Sequence, residues 1–318
     1  MSSSTALVAR GPTRSRLLAL VGATATGKTA AAVRICRRLN GEIVGADSVQ
    51  IYRGLDIGSA KPTPAELDSV PHHMLDLLDP NETMDAVRFA KLADETIQAI
   101  GTRGRIPVLV GGTGLWIRAL LRGLVALPPA DRQLREQLWR KWGELGAATM
   151  HRRLALHDPL TAARVHANDR KRVVRALEVL EQTGRPLGEL QAAHAQGTPR
   201  YDATVVLLGM PTAHLNERIR VRTRTMIDRG WIEEARTIAQ RYGPDSPALR
   251  SLGYRQVMLH LDGKLDLARM QAAIVQATKR YAKRQRTWFN SDPDVGMKCT
   301  PEELLGEELL ARFFGSWG

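Results

Sequence analysis

Cysteine is nearly absent: the 318 residues hold two, Cys36 and Cys299, far apart and without C-x-x-C spacing. That excludes a disulfide framework and a thiolate zinc site, and leaves two inert reduced thiols. No apolar run reaches the roughly 18 residues that a membrane-spanning helix needs. Arginines at 14 and 16 followed by apolar residues 17–21 imitate a signal peptide. The apolar stretch is shorter than the about 7–15 residues of a signal core, however, and it runs straight into a glycine-rich turn. It reads as a buried strand, and the protein as cytoplasmic with no membrane partner. Internal repeats and low-complexity segments are also lacking. Acidic residues are in deficit, 33 against 46 lysines and arginines, for a net charge of +13. The basic excess is gathered in runs, which favours a polyanion as partner.

What is present is long enough to bury one large core with an appended subdomain, or two smaller cores. Residues 1–15 look like a disordered tail. Strand patterns at 17–21, 42–46 and 106–110 alternate with helical patterns at 30–39, 87–100 and from 115 onward, the order of a parallel α/β sheet. Between 127 and 199 strand-like runs are missing and arginine-rich amphipathic helices follow one another. A β-rich run at 203–208 returns the chain to the sheet, and everything from about 211 reads as helical and basic. The expected fold is therefore α/β, a P-loop NTPase-like parallel sheet core (16–124 and 201–318, with a helical basic C-terminal part) interrupted by an all-helical insert at 125–200.

Residues Gly22, Ala23, Thr24, Ala25, Thr26, Gly27, Lys28 and Thr29 fit G-x-x-x-x-G-K-[ST], with a strand before and a helix after. The glycines let successive backbone N–H groups converge on one anion, and the helix N-terminus adds about half a positive charge. Lys28 reaches terminal phosphate oxygens, and the Thr29 hydroxyl can hold a Mg2+ ion that bridges two phosphates. This identifies a polyphosphate without saying which.

A nucleotide hydrolase also wants an aspartate closing a long apolar strand. Here the best such strand, 106–110, ends in Gly111, Gly112 and Thr113 with no carboxylate. Asp47 and Asp76 are the two alternatives, and neither follows a long β-branched run. Ligands of parallel sheets lie beyond the carboxyl ends of the strands, so the phosphate loop, Asp47 to Gln50 and the 111–114 turn should share one crevice. Asp47 can accept a proton or hydrogen bond, Gln50 can pair with a base edge, and Thr113 offers an open hydroxyl. His72 and His73, adjacent on an extended segment, point opposite ways and read as structural rather than as metal ligands. Arg222, on a helix at 215–229, is a candidate clamp for phosphate.

The ordered motifs across 17–290 resemble the bacterial tRNA dimethylallyltransferase (tRNA isopentenyltransferase) family. They are the phosphate loop, ADSVQIY from Ala46, IGSAKP from Ile57, PHHMLD from Pro71, GGTG from Gly111, NDRKRVVRALE from Asn168, LGYR from Leu252 and AKRQRTW from Ala282. The resemblance implies transfer of a dimethylallyl group from dimethylallyl diphosphate to the N6 of the adenosine beside the anticodon (position 37), in tRNAs that read codons beginning with U. Asp47 would take the adenine amino proton, Ser48, Val49 and Gln50 would continue that tRNA contact, and Thr113 would lie where the two substrates meet. Arg135 would contact tRNA. Lys171, Arg172, Val173, Val174 and Arg175 would bind the anticodon stem-loop, as would Arg250, Ser251, Leu252, Gly253, Tyr254 and Arg255. The same role would fall to Lys283, Arg284, Gln285, Arg286, Thr287, Trp288, Phe289 and Asn290. The partners expected are the tRNA anticodon stem-loop and dimethylallyl diphosphate, with the enzyme a monomer and no C-terminal zinc finger.

Three departures from the family pattern stand out: Ala23 in place of proline, Trp116 in place of tyrosine and Thr212 in place of arginine. The last puts one phosphate contact in doubt. A small-molecule P-loop kinase would leave the basic helices unexplained. A transferase acting on free adenine nucleotide would not need the long insert, and an RNA-binding ATPase would not need an aspartate loop beside the cradle.

Overall fold

The computed structural model describes residues 16–195 and 197–306; the expected tail at 1–15 lies outside them. The chain divides into two compact units, one built from residues up to Leu121 and from Arg200 onward, the other from Arg122–Pro199.

The first unit opens with β1 (Arg16–Gly22), α1 (Lys28–Leu39), β2 (Gly41–Ala46), α2 (Pro64–Ser69), β3 (His72–His73), α3 (Ala86–Thr102), β4 (Ile106–Gly111) and α4 (Gly114–Arg122). The second unit consists of α5 (Arg132–His157), α6 (Pro159–Ala162), α7 (Arg170–Thr183) and α8 (Leu187–Ala195). The first then resumes with β5 (Asp202–Leu208), α9 (Thr212–Asp228), α10 (Trp231–Tyr242), α11 (Tyr254–Leu261), α12 (Leu267–Asn290), β6 (Val295–Cys299) and α13 (Pro301–Leu304).

The six strands form one sheet in the order β3-β2-β4-β1-β5-β6, and every pairing is parallel. Leu17 to Val21 are fully buried, as a central parallel strand covered on both faces requires. β6 departs from the expectation of a purely helical C-terminal part. Its sequence, Val-Gly-Met-Lys-Cys, carries a glycine and a lysine and only half-buries alternate residues. An edge strand with one covered face gives little β signal. No helix among the described residues is long and apolar enough to cross a membrane.

The helical unit has its own core, in which Leu138, Met150, Leu154, Val173, Val174 and Leu177 are packed together. Its α5 breaks at Gly146, whose φ of 77° is non-helical. Glu178 is fully buried there. It accepts the Asp131 N–H at 2.8 Å and the Arg135 guanidinium at 2.8 Å, and pairs with Arg175 at 3.2 Å.

Candidate active site

The phosphate loop leaves β1 and curls through Ala25, at φ 67°, and Gly27, at φ 94°, into the N-terminus of α1. The Gly27 conformation is left-handed, where a side chain is strained. Thr26 is buried and donates to the Ala23 carbonyl at 2.8 Å, and Lys28 Nζ donates to the same carbonyl at 2.6 Å. Burial lowers the Lys28 pKa to about 8, against an opposing pull from Asp47 and with a smaller push from Arg222. Thr29 is half-buried on the first turn of α1, and its hydroxyl has no hydrogen-bond partner among the described residues. No cluster of three or more His, Cys, Asp or Glu that could hold a metal occurs among them. A Mg2+ ion here would therefore take Thr29 and the oxygens of the bound diphosphate and water as ligands, a hard all-oxygen set that suits it.

Two arginines from α9 close over the loop. Arg222 donates to Thr24 Oγ1 at 2.7 Å. Arg218 sits one turn earlier; a methyl added at Gly27 would lie 3.6 Å from its Nη2. Burial lowers the Arg222 pKa, with Asp47 opposing and Arg218 reinforcing that shift. Arg218 went unremarked in the sequence, although its spacing of four from Arg222 puts both on one helix face. At Thr212, where arginine was expected, the hydroxyl accepts a hydrogen bond from Arg286 of α12 at 2.5 Å.

Beyond β2, Asp47 Oδ1 accepts the N–H groups of Val49 at 2.9 Å and Gln50 at 3.4 Å. Its other oxygen has no hydrogen-bond donor among the described residues, and the charge of the carboxylate acts on Lys28 and Arg222. Thr113 Oγ1 accepts the Ser48 N–H at 3.3 Å, and the Thr113 N–H donates to the Ala46 carbonyl at 3.2 Å. The Gln50 side chain donates to the carbonyls of Ser59 at 3.2 Å and Ala60 at 2.9 Å. The ends of β1, β2 and β4 thus bring cradle, carboxylate and hydroxyl together. Asp76, the other candidate metal carboxylate, is instead paired with the buried Lys61 at 2.5 Å, as is Asp56 at 2.6 Å.

Several residues assigned to tRNA by resemblance lie in cores. Val173 and Val174 belong to the core of the helical unit. Tyr254 and Phe289 are fully buried in the other unit. Gly253 is pressed against Trp231, where a methyl would lie 2.3 Å from the ring. None of these five presents a surface to RNA. Tyr254 instead donates to Glu234 Oε1 at 2.5 Å, and Glu234 accepts the N–H groups of Asp56, Ile57 and Gly58 at 2.6–3.0 Å. LGYR and IGSAKP are thus two halves of one structural clasp. Gln285 is also buried and bonded within the protein. Arg135 and Arg175 are committed to Glu178. By contrast Lys171, Arg172, Arg250, Arg255, Lys283, Arg284, Thr287 and Asn290 are exposed. Ser251, Leu252, Arg286 and Trp288 are half-buried.

His72 Nδ1 meets the Val70 carbonyl at 2.8 Å and His73 Nε2 meets Glu42 at 2.6 Å, the structural roles expected. Burial and neighbouring glutamates push the Cys36 and Cys299 thiols up to about 12 and about 11, so both stay protonated.

The profile of the IPP transferase family matches residues 50–292, and that of the isopentenyl transferases matches 15–84. The chain belongs to the IPP transferase family. It is 48% identical over 297 residues to a protein of Anaeromyxobacter dehalogenans named tRNA dimethylallyltransferase, covering 93% of this chain and 98% of that one. A relative from Desulfosudis oleivorans with the same name is 44% identical, covering 96% and 98%. Among solved structures, the full-length tRNA isopentenylpyrophosphate transferase of Bacillus halodurans superposes with a TM-score of 0.70 at 34% identity, covering 96% of this chain and 97% of that one. A eukaryotic dimethylallyltransferase shares the fold with a TM-score of 0.76 at 23% identity, covering 95% and 79%.

Proposed function

We propose that this IPP transferase moves a dimethylallyl group from dimethylallyl diphosphate to the exocyclic N6 of the adenosine 3′-adjacent to the anticodon (position 37), in tRNAs reading codons that begin with U. It does so as a monomer in the cytoplasm. The observation that carries this reading is the Asp47 carboxylate beside the phosphate loop, one oxygen holding its own turn and the other open. The names of the close relatives speak for the same substrates.

In the proposed step the allylic C–O bond of the donor breaks, a C–N bond to N6 forms and one N6 proton passes to Asp47. The exocyclic amine is a weak nucleophile because its lone pair is drawn into the ring. A carboxylate on one N–H raises its electron density, an effect typically worth 10²–10⁴-fold. Leaving diphosphate collects charge as the bond breaks, and Lys28, Arg222, Arg218 and the loop N–H groups are arranged to hold it. Mg2+ on Thr29 would neutralise part of that charge. Thr113, tied to Ser48, keeps the acceptor loop at the donor. The adenine has to leave its stack, at a cost of a few kcal/mol. Backbone contacts from Lys171 and Arg172 on the helical unit, and from Arg250, Arg255, Lys283 and Arg284, offset that cost.

The test is to incubate the enzyme with radiolabelled dimethylallyl diphosphate and either bulk tRNA, AMP or no acceptor, following ATP in parallel. Label should enter tRNA alone, without nucleotide consumption. Label in AMP, or ADP formed in step with product, would overturn the reading.

A further inference from the structure

Gln285 lies in the interior of the first unit, 6% exposed, on the buried face of α12. Its carboxamide is used at both ends. Oε1 accepts the N–H of Thr24, in the phosphate loop, at 2.8 Å. Nε2 donates to the carbonyl of Gly112, in the turn that carries Thr113, at 2.9 Å. Gly112 makes room for it, since a methyl there would fall 2.2 Å from Nε2. One turn earlier on the same face, the hydroxyl of Tyr281 lies in the polar surroundings of Thr113 and Gln285, whose side chains partly offset the rise in its pKa that burial causes. Thr113 in turn holds the Ser48 N–H beside Asp47. Thr24, Gln285, Gly112, Thr113 and Ser48, from four distant segments, therefore form one continuous path between the phosphate cradle and the carboxylate loop.

We infer that Gln285, supported by Tyr281, is a positioning residue that couples occupancy of the diphosphate cradle to the placement of Thr113 and the Asp47 loop. The inference deepens the proposed function and relies on it only for the identity of the anion. The Thr24 N–H is one of the loop donors that a diphosphate would recruit. If the anion draws it away, the buried Gln285 oxygen loses its donor, and an unsatisfied buried acceptor is costly. The carboxamide must then follow the loop or change partner. Its other end is fixed to Gly112, so the turn bearing Thr113 moves with it. An empty cradle and a filled one thereby set different positions for the acceptor side, and the base is aligned only when donor is in place. This assigns Gln285 to internal positioning and not to contact with RNA.

The test uses inorganic pyrophosphate as the probe and hydrogen exchange read by mass spectrometry. In the wild type, pyrophosphate should slow exchange in residues 22–29 and also in 46–52 and 111–117. In Gln285→Met, which keeps length and loses both hydrogen bonds, only 22–29 should respond. Gly112→Ala displaces the carboxamide from the other side and should behave alike, so the idea stands testable should either variant fold poorly. With dimethylallyl diphosphate and tRNA, single-turnover rates of both variants should fall about 10–10²-fold, while KM for the donor and tRNA affinity stay near wild type. Protection of 46–52 or 111–117 that persists in Gln285→Met, or is missing from the wild type, would overturn the coupling. A wild type that shows the coupling but transfers no label would instead contradict the proposed reaction.

Discussion

Lys28 turns its ammonium back onto the carbonyl of Ala23, 2.6 Å away and five residues earlier in the same loop. The lysine that should meet the anion is thus held by a neutral acceptor while burial disfavours its charge, and its pKa falls from 10.5 to about 8. A diphosphate brings negative charge to the same place and favours the ammonium. Binding should therefore take up a proton at pH values near and above 8, and affinity should weaken as pH rises past it. Calorimetry of pyrophosphate binding at pH 8.5 in two buffers of different ionisation enthalpy measures that uptake. Lys28→Arg, whose guanidinium is always charged, should abolish the lysine's share and leave only the ligand's own ionisation.

The helical unit is held by Glu178, which is fully buried and shared by Arg135, Arg175 and the Asp131 N–H. Removing one partner of a buried ionic cluster costs about 3–5 kcal/mol because the remaining groups are left uncompensated. Glu178→Ala should lower the unfolding midpoint of the protein accordingly in a denaturant melt. Reversing the charge of Arg175 should destabilise for the same reason.

Arg172, three residues before Arg175, is exposed and, among the described residues, pairs only with Asp169 at 3.3 Å. Its reversal should leave the melt unchanged and reduce the log–log slope of tRNA affinity against salt by about 0.7–0.9, the worth of one phosphate contact. A filter-binding series across salt concentrations reads this slope directly.

Gly58 and Gly253 embrace the ring of Trp231 from two motifs nearly 200 positions apart; a methyl at Gly58 would lie 1.8 Å from Trp231 Nε1. Gly58→Ala should displace the ring and cost about 1–3 kcal/mol by overpacking. It should also loosen Gln50, whose side chain hangs on the adjacent Ser59 and Ala60 carbonyls. A chemical melt together with the KM for tRNA would show both effects.

The phosphate loop, the strand ends carrying Asp47 and Thr113, and the break into helices before the insert were legible because each depends on local pattern: apolar period, glycine turns and spacing. Burial of Val173, Val174, Tyr254 and Phe289 was not, because a motif recorded as a block carries no information about which of its faces is inside. The helical period separates them in retrospect: on α12, Lys283, Arg284, Thr287 and Asn290 face out, whereas Ala282, Gln285 and Phe289 face in. Tyr281 and Arg218 were findable by the same reasoning, each four residues before a residue already singled out. The commitments of Glu178 to Arg135 and of Glu234 to the 56–58 turn were not findable. Their partners lie up to 178 positions away, and only tertiary structure pairs them.

The proposed reaction turns on transfer of the adenine proton to Asp47. Asp47→Asn keeps an oxygen to accept the Val49 and Gln50 N–H groups that the carboxylate now holds, so the turn should survive while basicity is lost. Single-turnover transfer from dimethylallyl diphosphate to tRNA, with enzyme in excess and at two magnesium concentrations, isolates the chemical step. The rate should fall about 10²–10⁴-fold at both magnesium levels with little change in tRNA affinity. A wild-type rate would reduce Asp47 to a turn cap, and recovery at high magnesium would make it a metal ligand; either result would contradict proton transfer to Asp47.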